Sequence, residues 1–259
     1  MDNELQTAIR IMAQRIADIL APCAPSIYLY GSCVLDDFRP GWSDIDLLVL
    51  TQTPLSQAQA DRLVGLRQAI PEAAPYSRAF EGAMLPLDAF LSGQPTRVVY
   101  WGTSGQRITD RYSFDAFCMT QLLDSGLLLF GTDVRDRLRR PSFDDLKTAV
   151  GRHLEAIRKY AQRTERSLYS YGWLLDIARC IYTLRTGEII PKTRAAAWAL
   201  EQQLCPDPPV LTAALKIRRS PLQYREDPET FNDAETLGEP IQRFADVLEN
   251  ELRGQPCRK

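Results

Sequence analysis

The chain has 259 residues, 45% of them hydrophobic and 25% charged, and a formal net charge of −2. That is an ordinary globular composition, long enough for one large domain or two modest ones. It gives no electrostatic support for general nucleic-acid binding, which needs clustered positive charge, and no apolar stretch approaches the length of a membrane span.

Taken in chain order, Leu5, Ile9, Met12, Ile16 and Ile19 recur at helical spacing and predict a helix over roughly the first twenty residues. Ala21 to Pro25 breaks it. A first strand is expected over Ile27–Tyr30 and a second over Asp44–Thr51. Leu55–Ala69 suits a helix that Pro71 and Pro75 end. Ser77–Leu85 reads as a third strand, Pro86 opens a connection, and Arg97–Trp101 reads as another short strand. Asp110–Ser125 looks helical. Leu127–Phe130, bracketed by glycines, suits either a strand or a short buried turn. This alternation implies an α/β domain, a mixed sheet with helices, over residues 1–140.

Pro141-Ser142, with Ser142 as a helix N-cap, marks the expected boundary. Beyond it the apolar spacing is helical throughout: Asp144–Glu165, Leu168–Thr186, Thr193–Cys205, Pro209–Arg218 and Asp233–Arg253. Gly187 stops the second of these. An all-α helical bundle over 141–259 is therefore expected, with a frayed tail after Gly254.

With Asp2 and Glu4 at its start leading into an amphipathic pattern, no export signal is expected. The six cysteines, Cys23, Cys33, Cys118, Cys180, Cys205 and Cys257, form no Cys-x-x-Cys pair. A reducing cytoplasm is the expected setting. His153 is the one histidine in the sequence. A His-based metal site or a Ser/His triad is thus disfavoured, and acid–base work falls to a carboxylate.

The chemistry-bearing stretch is Tyr30-Gly31-Ser32, then eleven residues, then Asp44-Ile45-Asp46 leading into an apolar run. In a strand, side chains at i and i+2 share a face, so Asp44 and Asp46 project together. Two like charges that close call for a cation, and a hard divalent ion such as Mg²⁺ takes oxygen ligands together with substrate phosphates. Gly31 lets the backbone approach a phosphate closely, and the Ser32 hydroxyl adds a donor. Ser43 is a candidate to brace the carboxylate pair by a hydrogen bond. The bland alternative is a solvated strand end. A phosphate cradle with a metal-binding acid pair is the minimum equipment for phosphoryl or nucleotidyl transfer, with two ions expected.

At Leu29-Tyr30-Gly31-Ser32 and Trp42-Ser43-Asp44-Ile45-Asp46-Leu47-Leu48-Val49, the chain resembles the polymerase-β-like nucleotidyltransferase superfamily. Within it, the chain is similar to the bacterial aminoglycoside adenylyltransferases that act on streptomycin and spectinomycin. Arg78-Ala79-Phe80-Glu81, Gly126–Gly131, Thr186–Lys192 and Ala195–Trp198 extend the likeness over nearly the whole chain.

The resemblance implies transfer of AMP from ATP to a drug hydroxyl. In it, Glu81 is the base that takes the hydroxyl proton; a surface Glu on an edge strand is the alternative. Lys192 reaches the nucleotide phosphates, Tyr224 lies near the nucleotide, and Trp101 packs on the drug. For Lys192 and Trp101 the alternatives are a solvated lysine and a core aromatic. One departure stands out. The family commonly has Asp directly after its Pro-Lys pair, and here the residue is Thr193. Asp176, Glu188 and Glu81 are candidates to supply the negative charge a cationic drug needs. The partner expected is a small molecule, with no membrane or nucleic acid, and a monomer. A different acceptor, small molecule or protein, as in toxin-type nucleotidyltransferases, keeps the same chemistry. The long helical half, which toxin-type versions tend to carry on a separate chain, favours a small molecule.

Overall fold

The computed structural model describes residues 3–69, 76 and 78–254. Pro71, Pro75 and Ser77, to which the sequence assigns a helix end and a strand start, lie outside them, as does the chain after Gly254.

The first helix, α1 (Asn3–Leu20), buries Leu5, Ile9, Met12, Ile16 and Leu20, the apolar stripe of its sequence. Then come β1 (Ser26–Tyr30), β2 (Ile45–Thr51), α2 (Gln57–Ala69), β3 (Phe80–Pro86), α3 (Leu87–Ser92), β4 (Val98–Gly102), β5 (Gly105–Thr109), α4 (Ala116–Ser125) and β6 (Leu127–Phe130). The strands form one mixed sheet in the order β5-β4-β3-β2-β1-β6. Only β2 and β3 run parallel, and the longer connection between them carries α2, as a parallel pair requires.

Both faces of the sheet are buried in its centre. Ile27, Leu29, Leu47, Val49, Met84, Val99 and Trp101 pack with apolar residues of α1 and α2. Tyr28, Tyr30, Leu48, Leu50, Ala83, Leu85 and Val98 form a second cluster with Leu122 of α4.

The mixed sheet followed by helices is the architecture the sequence implies, and the differences are local. Asp110–Ser125 is helical only from Ala116, where the Asp115 side chain accepts from Cys118 N–H at 2.8 Å and caps α4. The strand β5 was not expected. Its sequence, Gly-Gln-Arg-Ile-Thr, carries a single apolar residue and is held by backbone pairing to β4. Leu127–Phe130 is a strand, antiparallel to β1.

The helices after Arg140 are α5 (Phe143–Tyr160), α6 (Gly172–Thr186), α7 (Lys192–Glu201), α8 (Pro208–Arg219), α9 (Pro221–Tyr224), α10 (Pro228–Glu235) and α11 (Gly238–Leu252). Ser142 and Asp145 form a capping box at the start of α5. Gly187, with φ of 75°, ends α6. α6 is the hub: α5, α7, α8 and α11 pack around it, and Leu174, Leu175, Ile177, Ala178, Cys180 and Ile181 are buried. The expected helix over Leu168–Thr186 opens instead with a 3₁₀ turn, Leu168–Tyr171, and α9 and α10 were not expected.

Two compact units result. One comprises the chain to Phe38 with Asp44–Arg140; the other comprises Arg39–Ser43 with the chain from Pro141 onward. Within the second unit, Trp42 meets Tyr169 edge-on at 6.1 Å and lies under the Arg218 guanidinium at 5.4 Å.

No helix among the described residues is long and apolar enough to cross a membrane.

Candidate active site

β1 ends at Tyr30, and the chain turns at once into a 3₁₀ turn, Gly31–Cys33. Gly31 has φ of 73°, a conformation that side chains resist. A Cβ at Gly31 would collide with Oδ2 of Asp46, so the carboxylate of Asp46 packs directly on the Gly31 backbone. The Ser32 hydroxyl donates to the Asp44 carbonyl at 3.4 Å, tying the turn to the acidic strand.

Register assembles the three acids. Tyr30 pairs with Asp46 across β1 and β2, and Asp46 pairs with Glu81 across β2 and β3. Alternation puts Asp44, Asp46 and Leu48 on one face, and Glu81 and Ala83 on the same face of the next strand; Leu48 and Ala83 share one buried cluster. Asp44, just ahead of β2, Asp46 and Glu81 are all half-buried.

Burial and then the Asp44 charge push the Glu81 carboxyl up to about 7. Arg67 and the Thr103 backbone hydrogen bond work in the opposite direction. Arg67, in α2, also donates to the Gly102 carbonyl at 2.9 Å and to Gln106 Oε1 at 3.2 Å, bracing the turn that holds Thr103. A carboxyl poised near neutrality is suited to act as a general base.

Around the acids, Tyr30 and Tyr112 share a hydrogen bond, and burial raises both phenols well above their ordinary value. Phe114 lies 5.2 Å from Tyr30 and 6.3 Å from Tyr112, ring centre to ring centre. Arg107 covers the Tyr100 ring at 4.4 Å.

Among the described residues, no group of three or more His, Cys, Asp or Glu side chains could hold a metal by itself. Two aspartates on one face still fit Mg²⁺, which keeps waters and takes one or two carboxylates with substrate phosphates. The donor set is all oxygen, as that ion prefers.

Of the remaining candidates, Ser43 accepts from the Arg39 N–H at 2.9 Å, and its own N–H donates to the Arg39 carbonyl at 2.8 Å. It closes the turn ahead of Asp44; these bonds are not the carboxylate brace the sequence suggested. Trp101, expected on the acceptor, is fully buried in the cluster with α1 and α2. Its neighbour Tyr100 pairs with Ala83 and so takes the acid face of β4.

In the helical unit Lys192 opens α7 after Pro191, and its ammonium lies 3.0 Å from each oxygen of Asp176. Arg179 donates to Asp176 at 2.9 Å. Burial works against the Asp176 charge, but Lys192, Arg179 and His153 outweigh it and hold the carboxyl down at about 2. Burial also lowers the Lys192 ammonium; Asp176 resists this, and Arg179 and Arg218 add to it. Glu188 is exposed on the turn after α6 and accepts from the Tyr182 hydroxyl at 3.4 Å. Tyr224 ends α9 beneath the Lys216 ammonium at 5.7 Å. Thr193 is buried.

The structure thus joins Gly31, Ser32, Asp44, Asp46 and Glu81 in one unit, and Lys192 with Asp176 in the other. The sequence reading passed over Arg67, Thr103, Tyr112, Arg179 and Arg218. Only Arg179 carried a local signal, three residues after Asp176 on one helix face.

The Gly31 contact sets an expected result. Gly31→Ala places a methyl on the Asp46 carboxylate at a strained φ, so any activity that depends on the placement of Asp46 is expected to fall about a hundredfold or more. Steady-state turnover checks this. Near-normal activity would mean that the turn does not set the position of Asp46.

Residues 14–78 match a family described as a nucleotidyltransferase domain, and residues 142–247 match one described as the aminoglycoside adenylyltransferase C-terminal domain. A spectinomycin 9-adenylyltransferase of Staphylococcus aureus is 26% identical over 198 residues, 71% of this chain and 74% of that protein. Another, of Campylobacter jejuni, is 25% identical over 230 residues, 82% of this chain and 84% of that protein. The crystal structure of spectinomycin adenyltransferase AAD(9) from Enterococcus faecialis, with ATP and spectinomycin, matches with a TM-score of 0.58 and 16% identity. That match covers 93% of this chain and 99% of the other, and at such identity it speaks for the fold.

Proposed function

We propose that this chain, which matches a nucleotidyltransferase domain and an aminoglycoside adenylyltransferase C-terminal domain, transfers AMP from ATP, with Mg²⁺, to one hydroxyl of a spectinomycin- or streptomycin-like antibiotic. The observation that carries the reading is the register of β2 and β3. It sets Glu81, held near neutral pH, beside Asp46 on the face that also carries Asp44.

In this reading Glu81 takes the proton from the acceptor hydroxyl. The freed oxygen attacks the α-phosphorus, the bond to the bridging oxygen breaks, and pyrophosphate leaves in line. Gly31 N–H and the Ser32 N–H and hydroxyl hold the β- or γ-phosphate. Lys192 opposes charge on the phosphates, and Tyr224 lies by the nucleotide. Asp44 and Asp46 would hold Mg²⁺, two ions on this reading, which would supply charge neutralisation for the transfer. Residues 1–140 carry the chemistry, and the helical half supplies Lys192 and acceptor contacts, Glu188 among its candidates. We take the enzyme to act as a cytoplasmic monomer.

The acceptor is tested with purified protein, Mg²⁺ and ATP labelled at the α-phosphate. With Thr193 where the family commonly carries Asp, the negative lining for a cationic drug is thinner. Label is expected on one of the two drugs, spectinomycin, which the relatives' names point to, with little on streptomycin. Efficient labelling of both would overturn the reading of Thr193. Label on protein and on neither drug would favour the toxin-type alternative.

A further inference from the structure

Asp176 sits on the hub helix α6 with both carboxylate oxygens in use. Lys192 Nζ is 3.0 Å from each oxygen, and Arg179 Nη2 is 2.9 Å from Oδ1. The three side chains are largely withdrawn from water, at 20% exposure for Asp176, 28% for Lys192 and 14% for Arg179. Arg218, itself 4% exposed, and His153 add to the local field. Two cations, Lys192 and Arg179, thus pair directly with one carboxylate, and Arg218 adds its charge to the surroundings of Lys192.

This arrangement bears on what Asp176 can bind. An ammonium group of an incoming acceptor would meet a carboxylate already neutralised by two charged donors. Removing it would break a largely buried pair, which leaves the partner charge uncompensated. Lys192 would then face Arg179 and Arg218 alone, in a place where burial already opposes its charge. It would turn away or lose its proton. With Asp176 present, the ammonium is held in place and its charge is compensated.

We infer that Asp176 is a positioning residue for Lys192 and serves the nucleotide side of the reaction, not the acceptor side. The inference rests on the assignment of Lys192 to the nucleotide phosphates.

The test is a double-mutant cycle on the full chain with Lys192→Ala, Asp176→Asn and the double variant. MgATP affinity is read by calorimetry and acceptor KM by steady-state kinetics. Asp176→Asn weakens MgATP binding about tenfold, leaves acceptor KM within about twofold, and adds nothing once Lys192 is Ala. A raised acceptor KM with unchanged MgATP affinity overturns the inference. So do losses that multiply in the double variant. Unchanged MgATP affinity in Lys192→Ala is a separate result: it removes the phosphate role of Lys192, and the inference with it. Should Asp176→Asn fail to fold, Asp176→Glu carries the test. It keeps the charge but shifts it by one methylene, and is expected to weaken MgATP binding severalfold with acceptor KM unchanged; the reverse pattern overturns the inference.

Discussion

Asp44→Asn or Asp46→Asn is expected to abolish adenylyl transfer while the protein stays folded. Both side chains are half-buried at one end of β2, and an amide has nearly the size and shape of a carboxylate, so the substitution disturbs little packing. The loss falls on charge. An amide cannot hold a divalent cation against water as a carboxylate does, and the reacting phosphorus then loses the counter-charge of that ion. Removing that stabilisation costs several kcal/mol of barrier, or a fall in turnover of about a thousandfold or more. Turnover with Mg²⁺, alongside a thermal melt to confirm folding, measures it. Near-normal turnover in either variant would sink the two-acid site.

Glu81→Gln has the second-largest expected effect. It should still bind MgATP, because it removes a proton acceptor and not a member of the aspartate pair. Turnover should drop about a hundredfold to ten-thousandfold, the usual worth of a positioned base. The pH profile supplies an independent check. Burial and the Asp44 charge raise the Glu81 carboxyl to about 7. The base must be deprotonated to work, so wild-type turnover rises as pH climbs through that region and is lost as pH falls below it. Mg²⁺ held at Asp44 would move the midpoint downward, since it would offset the Asp44 charge, one of the two causes of the shift. In Glu81→Gln that limb disappears. Lost MgATP binding would make Glu81 a metal ligand, and unaltered turnover would make it a bystander.

The sequence by itself determined that Asp44 and Asp46 share a face, because strand period two is a local property of the backbone. It also determined the turn at Gly31, the change from mixed sheet to helices near residue 140, and the ends set by Ser142 and Gly187. Each depends on residues only a few positions apart.

Other features depend on pairing between distant segments, which no local spacing encodes. The parallel register of β2 and β3 decided that Glu81 lies beside Asp46 and not two residues away. A one-residue parity on β4 sent Trp101 into the core and left Tyr100 on the acid face. The strand β5 is held by its neighbour's backbone, so its own side chains gave no sign of it. The allegiance of Asp176 was settled by the packing of α6 against α7, which brings Lys192 across from sixteen residues away. A carboxylate is legible in sequence as a charge; which cation it answers to depends on which helix packs beside it.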